Sequence, residues 1–139
     1  SMYHKVTIVG YLGRDPEMRY TGDGVPVTTL SVASSRKWSN SDGSKGEETT
    51  WFRVTVWRQQ AEHVAQYLHK GSLVLVEGRL NPDKNGGPRI WTGQDGMPRA
   101  SFELTAEMVR FLDRKGDGGS EAGAPAHSDP FDGGEELPF

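Results

Sequence analysis

The chain has no cysteine, so disulfide staples and cysteine-based zinc sites are excluded. No apolar run approaches the roughly 20 residues of a membrane-spanning helix, and nothing near the start has the form of a secretory signal. Apolar residues make up 34% of the 139 positions, aromatic ones 9% and charged ones 25%. That composition suits one soluble domain with some polar length attached, and an intracellular, cytoplasmic protein is expected. Basic residues are missing altogether from positions 116–139, where Asp117, Glu121, Asp129, Asp132, Glu135 and Glu136 carry a charge of −6. The preceding positions hold all 16 basic residues against 13 acidic ones, a net charge of +3 that the whole-chain value of −3 conceals. Such asymmetry points to nucleic-acid binding by a basic body with an acidic tail.

From Tyr3 to about Leu112 the pattern is strand, turn, strand. Val6, Ile8 and Leu12 share one face at period two and predict a strand over 4–12. Residues 18–20 read as a short extended piece before the turn at Thr21-Gly22-Asp23-Gly24. A long strand is expected over 25–38, then an exposed and mobile loop over 39–48, polar and holding Gly43 and Gly46. Residues 49–58, rich in β-branched and aromatic side chains, predict the third strand. Ala61, Val64, Ala65 and Leu68 then fall at i, i+3, i+4 and i+7, predicting a helix over 59–70 capped by Gly71. A fourth strand is read over 73–80. A long loop over 81–99 follows, with Ile90-Trp91-Thr92 in one arm of a hairpin, and a fifth strand over 100–112. Three strands, a helix and two strands predict an all-β fold: a five-stranded, partly open OB-fold barrel with its helix between strands three and four. A small sandwich is the competing architecture. The domain is drawn over 2–115. Residues 116–139 contain 6 Gly, 3 Pro and 6 acidic residues and are expected to form a disordered tail, since they bury too little apolar surface to offset ordering entropy.

Every tryptophan has a basic residue within two positions: Trp38 beside Arg36 and Lys37, Trp51 near Arg53, Trp57 beside Arg58, and Trp91 after Arg89. Ring faces that stack on bases, next to cations that track phosphates, are what holds single-stranded nucleic acid without sequence preference. Arg79, Lys84 and Arg99 extend the basic set. Against this stands packing, the commoner use of Trp. Strand alternation puts Trp51, Arg53, Thr55 and Trp57 on one face and Phe52, Val54 and Val56 on the other, more apolar, core-facing one. Phe52 is kept among the binding candidates despite that parity. The histidines, His4, His63, His69 and His127, are scattered and carry no metal spacing. Glu47-Glu48 and Glu135-Glu136 lie where no scaffold holds acid–base geometry. No phosphate loop or nucleophile elbow is present, so neither catalysis nor a cofactor is expected. At the end of the tail, Leu137-Pro138-Phe139 joins an aromatic ring to a free carboxylate behind two further carboxylates. A partner protein with an apolar pocket and Arg or Lys clamps would take it.

These features, taken in order, are similar to the bacterial single-stranded DNA-binding proteins. The resemblance is carried by Val9-Gly10-Tyr11-Leu12-Gly13-Arg14-Asp15-Pro16-Glu17-Met18-Arg19-Tyr20, by Thr50-Trp51-Phe52-Arg53-Val54-Thr55-Val56-Trp57, by Tyr67-Leu68-His69-Lys70-Gly71-Ser72, by Val76-Glu77-Gly78-Arg79-Leu80 and by the acidic Leu-Pro-Phe tip. It implies an OB-fold homotetramer that binds single-stranded DNA, nucleoid-associated in the cytoplasm, with stacking aromatics at Trp38, Trp51 and Trp91 and with Trp57 where the family often has Phe. It also implies recruitment of replication, recombination and repair proteins through Asp132, Glu135, Glu136, Leu137, Pro138 and Phe139. The chain departs from the family in having Leu where the tip typically has Ile, in the interruption at Gly133-Gly134, and in a short linker. A primosomal or DNA-uptake paralogue, an RNA-binding OB domain and a protein-interaction adaptor are the alternative readings.

Overall fold

The computed structural model of the chain describes residues 2–113. Seven strands and one helix follow in the order β1 (Val6–Leu12), β2 (Glu17–Tyr20), β3 (Pro26–Ser39), β4 (Lys45–Trp57), α1 (Arg58–Tyr67), β5 (Leu73–Leu80), β6 (Arg89–Thr92) and β7 (Pro98–Phe111). Hydrogen-bonded neighbours run β1–β5–β7–β4–β3, and β3 returns to β1 through Tyr11 opposite Ala33 and Leu12 opposite Val32. That return closes a five-stranded barrel, the OB-fold arrangement expected from the strand order. The β4–β7 pair is parallel and the others are antiparallel. The short strands β2 and β6 are hairpin additions to β3 and β7.

Period-two alternation fills the barrel. Ile8, Leu30, Val32, Val54, Val56, Val74, Val76, Leu104 and Ala106 point inward and are buried with Leu12. Ala61 and Val64 of α1, with Leu68 just beyond it, join the same cluster. Burying each larger apolar side chain is worth about 1.5–3 kcal/mol. Thr28, fully buried, ties β3 to the helix by donating its hydroxyl to the Ala61 carbonyl at 2.8 Å. Tight closure also needs two positions without a side chain: a Cβ at Gly10 would run into the Ala33 carbonyl, and one at Gly78 into that of Thr105. Gly78 lies where the β5–β7 register shifts, the bulge that bends the strand round the barrel.

Four local expectations need correction. Residues 39–48 do not form a ten-residue loop: β3 and β4 stay paired from Val27 opposite Trp57 out to Ser39 opposite Lys45, leaving only a five-residue turn. The arm is polar because it is exposed on both faces, and side-chain pairs such as Ser35–Thr49, hydroxyl to hydroxyl at 2.8 Å, hold it. The helix stops at Tyr67 rather than Lys70. Leu68 is already extended, the Lys70 N–H donates to Asp15 Oδ1 at 2.8 Å and the His69 N–H to Ser72 Oγ at 3.1 Å, so side-chain acceptors draw the chain out of the helix. Gly71, at φ 92°, therefore serves the turn into β5 and not the helix cap. Arg58, expected at the end of a strand, opens α1 with φ 63° because β4 passes into the helix with no intervening loop.

Candidate nucleic-acid interface

Residues opposite one another in a sheet share a face, and registry assembles one outer face across six strands. On β4 it carries Trp51, Arg53, Thr55 and Trp57. On β3 it carries their opposites Ala33, Ser31, Thr29 and Val27. The β3 residues are small or short and buried although they point away from the barrel, for their cross-strand neighbours are large. Trp57 is 41% exposed, while Trp51 and Arg53 are half-buried. Arg19 of β2 extends the row, its Nη1 donating to Thr29 Oγ1 at 3.4 Å. On the other side, Arg53 is opposite Glu103 and Thr55 opposite Thr105 of β7. Farther along β7, Ser101 is opposite Arg89 and Arg99 opposite Trp91 of β6. Arg79 of β5, opposite Thr105, is on this face too.

Trp38 stands apart, on the projecting arm. With Arg36 it takes the alternate parity to Trp51. It lies opposite Gly46, and a Cβ there would occupy the space of the indole. Its Nε1 donates to Asn40 Oδ1 at 3.1 Å, and Asn40 in turn donates to Ser44 Oγ at 2.8 Å. The Asp42 carboxylate closes the turn by accepting from the Ser44 hydroxyl at 2.6 Å and its N–H at 2.9 Å, which hold its pKa below the ordinary value. The Arg36 guanidinium sits over the Trp38 ring at 4.8 Å and pairs with Glu48 at 2.8 Å. A ring that is 36% exposed is thus held in one orientation before any ligand arrives.

Trp91 is built similarly, with the Arg89 guanidinium 4.9 Å over its ring. Several candidate cations are held by carboxylates: Arg89 by Glu103 at 3.4 Å, Arg99 by Asp95 at 2.9 Å, Arg79 by Glu107 at 3.8 Å. Asp95 is kept below its ordinary pKa first by the Met97 N–H and further by Arg99. The Arg99 and Arg79 pairs are exposed, worth about 0–1 kcal/mol and weakened by salt, so a phosphate can take the carboxylate's place there, whereas Glu103 is only 14% exposed and holds Arg89 more closely. Lys37, Arg53, Arg58 and Lys84 make no ion pair among the described residues. Phe52 does not belong to the Trp51–Arg53 face: it packs against the core and meets Phe102 at 5.9 Å between ring centroids. Arg19, Ser101 and Thr105 on the outer face were missed by sequence reasoning because only strand pairing places them there. Among the described residues no three His, Asp or Glu are placed to hold a metal ion, and no helix is long and apolar enough to cross a membrane. The expected partner-binding residues Asp132, Glu135, Glu136, Leu137, Pro138 and Phe139 lie outside the described residues, as do the expected domain boundary at 115 and tail.

The family model of the single-strand binding proteins matches residues 3–112, the whole barrel. The chain belongs to the single-strand binding protein family. It is 38% identical to the single-stranded DNA-binding protein of Neisseria meningitidis over 88% of this chain and 66% of that one. Against the protein of the same description from Bacillus cereus, identity is 41% over 88% of this chain and 68% of that one. With single-stranded DNA-binding protein 1 of Xylella fastidiosa it is 37% over 96% and 93%. The chain thus spans about two thirds of the Neisseria and Bacillus proteins. Among solved structures, the Plasmodium falciparum single-strand binding protein in complex with single-stranded DNA superimposes with a TM-score of 0.65 at 25% identity, covering 81% of this chain and 97% of that one. Single-strand binding proteins are non-enzymatic DNA-binding proteins.

Proposed function

We propose that the chain coats single-stranded DNA without sequence preference, stacking bases on Trp38, Trp51, Trp57 and Trp91 while Arg36, Lys37, Arg53, Arg58, Arg79, Lys84, Arg89 and Arg99 follow the phosphates. The observation that carries this reading is the outer barrel face on which Trp51, Arg53 and Trp57 are continuous in register with Arg99 and the Arg89–Trp91 pair. Each stacked base contributes roughly 1–3 kcal/mol, and every base has a face to offer, so contacts of this kind tolerate any sequence. Binding releases counterions, and Arg36, Arg79 and Arg99 exchange a carboxylate for a phosphate, while Arg89 keeps its Glu103 partner. The protein acts in replication, recombination and repair as a cytoplasmic, nucleoid-associated homotetramer. It keeps exposed strands from re-annealing and recruits enzymes through Glu135, Glu136, Leu137, Pro138 and Phe139 with Asp132. Family membership and the acidic tip of the sequence support that wider role.

A tryptophan-fluorescence titration with poly-dT at low and high salt tests the reading. Strong quenching, with affinity falling as salt rises, is the expected outcome. Absence of quenching would make the rings packing groups and favour a protein-interaction adaptor. Tighter binding to poly-U than to poly-dT would transfer the site to RNA, the polymer that offers a 2′-hydroxyl.

A further inference from the structure

At the end of the barrel away from α1, the inward face of β7 opens to solvent at Phe102, which is 55% exposed. Phe102 lies opposite Phe52, the neighbour of Trp51 in sequence, and the Phe52 ring backs it at 5.9 Å between centroids with the planes tilted by 41°. In front of Phe102 is a cleft of about 240 Å³, walled by Leu80, Pro82 and Pro88, with Asn81, Ser101 and Glu103 as its polar side chains. That volume is below the roughly 300–1,000 Å³ of pockets for drug-sized ligands, and it suits one planar ring.

We infer that this cleft is a further base-binding position, in which Phe102 stacks on a base of the same strand that crosses the tryptophan face. The inference rests on the single-strand-binding reading. Three observations favour a base over an apolar peptide or a second copy of the chain. The cleft is continuous with the proposed path, because Phe102 and Glu103 are the β7 neighbours of Phe52 and Arg53, and Arg89 serves both the Trp91 ring and Glu103. Its one carboxylate does not repel a polyanion, since Glu103 accepts from Ser101 Oγ at 2.8 Å and pairs with Arg89 at 3.4 Å. Asn81 supplies the polar handle: its Oδ1 accepts from Thr105 Oγ1 at 2.7 Å, which leaves the amide Nδ2 to donate to a carbonyl or ring nitrogen at a base edge.

The test uses the full chain and fluorescein-labelled oligo-dT. Phe102→Ala should weaken binding roughly 5- to 150-fold, the range expected for one lost stacked base. Because Phe102 also touches Phe52, a second variant guards against misfolding: Phe102→Trp should keep the wild-type affinity and add an emission that dT quenches. An oligonucleotide carrying 5-iododeoxyuridine should photo-crosslink at residue 102. Wild-type affinity in Phe102→Ala, with no added quenching in Phe102→Trp, would overturn the subsite while leaving the function standing. A change of mass in light scattering with unaltered DNA affinity would overturn it in favour of a contact between copies. Failure of the wild-type chain to bind dT at all would remove the functional reading, and the subsite with it.

Discussion

Trp51 and Gly46 show how little of a site one side chain makes by itself. Trp51 lies opposite Ala33, where a larger neighbour would compete for the space of the indole. Trp51→Ala is expected to cost about 1–3 kcal/mol of affinity for dT, measured by fluorescence anisotropy. Unchanged affinity would reassign the ring to packing. Gly46 matters through what it lacks. Any side chain there meets the Trp38 ring, so Gly46→Ala should turn the indole out of its place between Asn40 and Arg36. The binding loss should match that of Trp38→Ala, with little change in the unfolding midpoint because the arm is exposed. Trp38 was legible in the sequence as an aromatic beside cations. Gly46 was not, since its role exists only once register sets it opposite Trp38.

Elements are held together by a few polar ties across the core. The Thr28 hydroxyl joins β3 to α1, and Thr28→Val keeps the shape while removing the donor. The Ala61 carbonyl retains its own place in the helix, so the loss is that of one hydrogen bond, about 1 kcal/mol, to be read from urea unfolding. The β3–β4 arm depends on acid ionisation at its tip. Asp42 has its pKa depressed by Ser44, so its contribution is complete above the ordinary carboxylate value and is lost as pH falls through the lower folded value. The Ser44 amide resonance should keep its position from neutral pH down to about 4 and move only below it. Composition alone suggested a loop for this arm. Its cross-strand polar pairs turn the same residues into strand, because the ladder satisfies the backbone whatever the side chains are.

Across the whole molecule, charge divides into a basic body and an acidic end. Deleting residues 135–139 should leave affinity for dT within about twofold, near the scatter of such comparisons, and abolish capture of replication and repair enzymes in a pull-down. A large change in DNA affinity would give the tip a second role. The five-strand-plus-helix order was legible because each element declares its period locally. The register that closes the barrel was not, since it depends on Tyr11 and Leu12 meeting Ala33 and Val32, partners 22 and 20 positions apart along the chain.

The amino-acid sequence by itself determined the class of fold, the family, the aromatic-and-cation chemistry and the division of charge. All of these are properties of residue type or of short-range periodicity, which the backbone imposes on every strand and helix. Tertiary structure alone decided which residues of different strands share a surface. It joined the Trp51–Trp57 face to Trp91 and put Trp38 on a separate arm, gave Arg36, Arg79, Arg89 and Arg99 carboxylate partners, and set Phe52 against Phe102. The physical reason is that pairing register is set by non-local contacts. A shift of one residue in register would send every side chain of a strand to the opposite face.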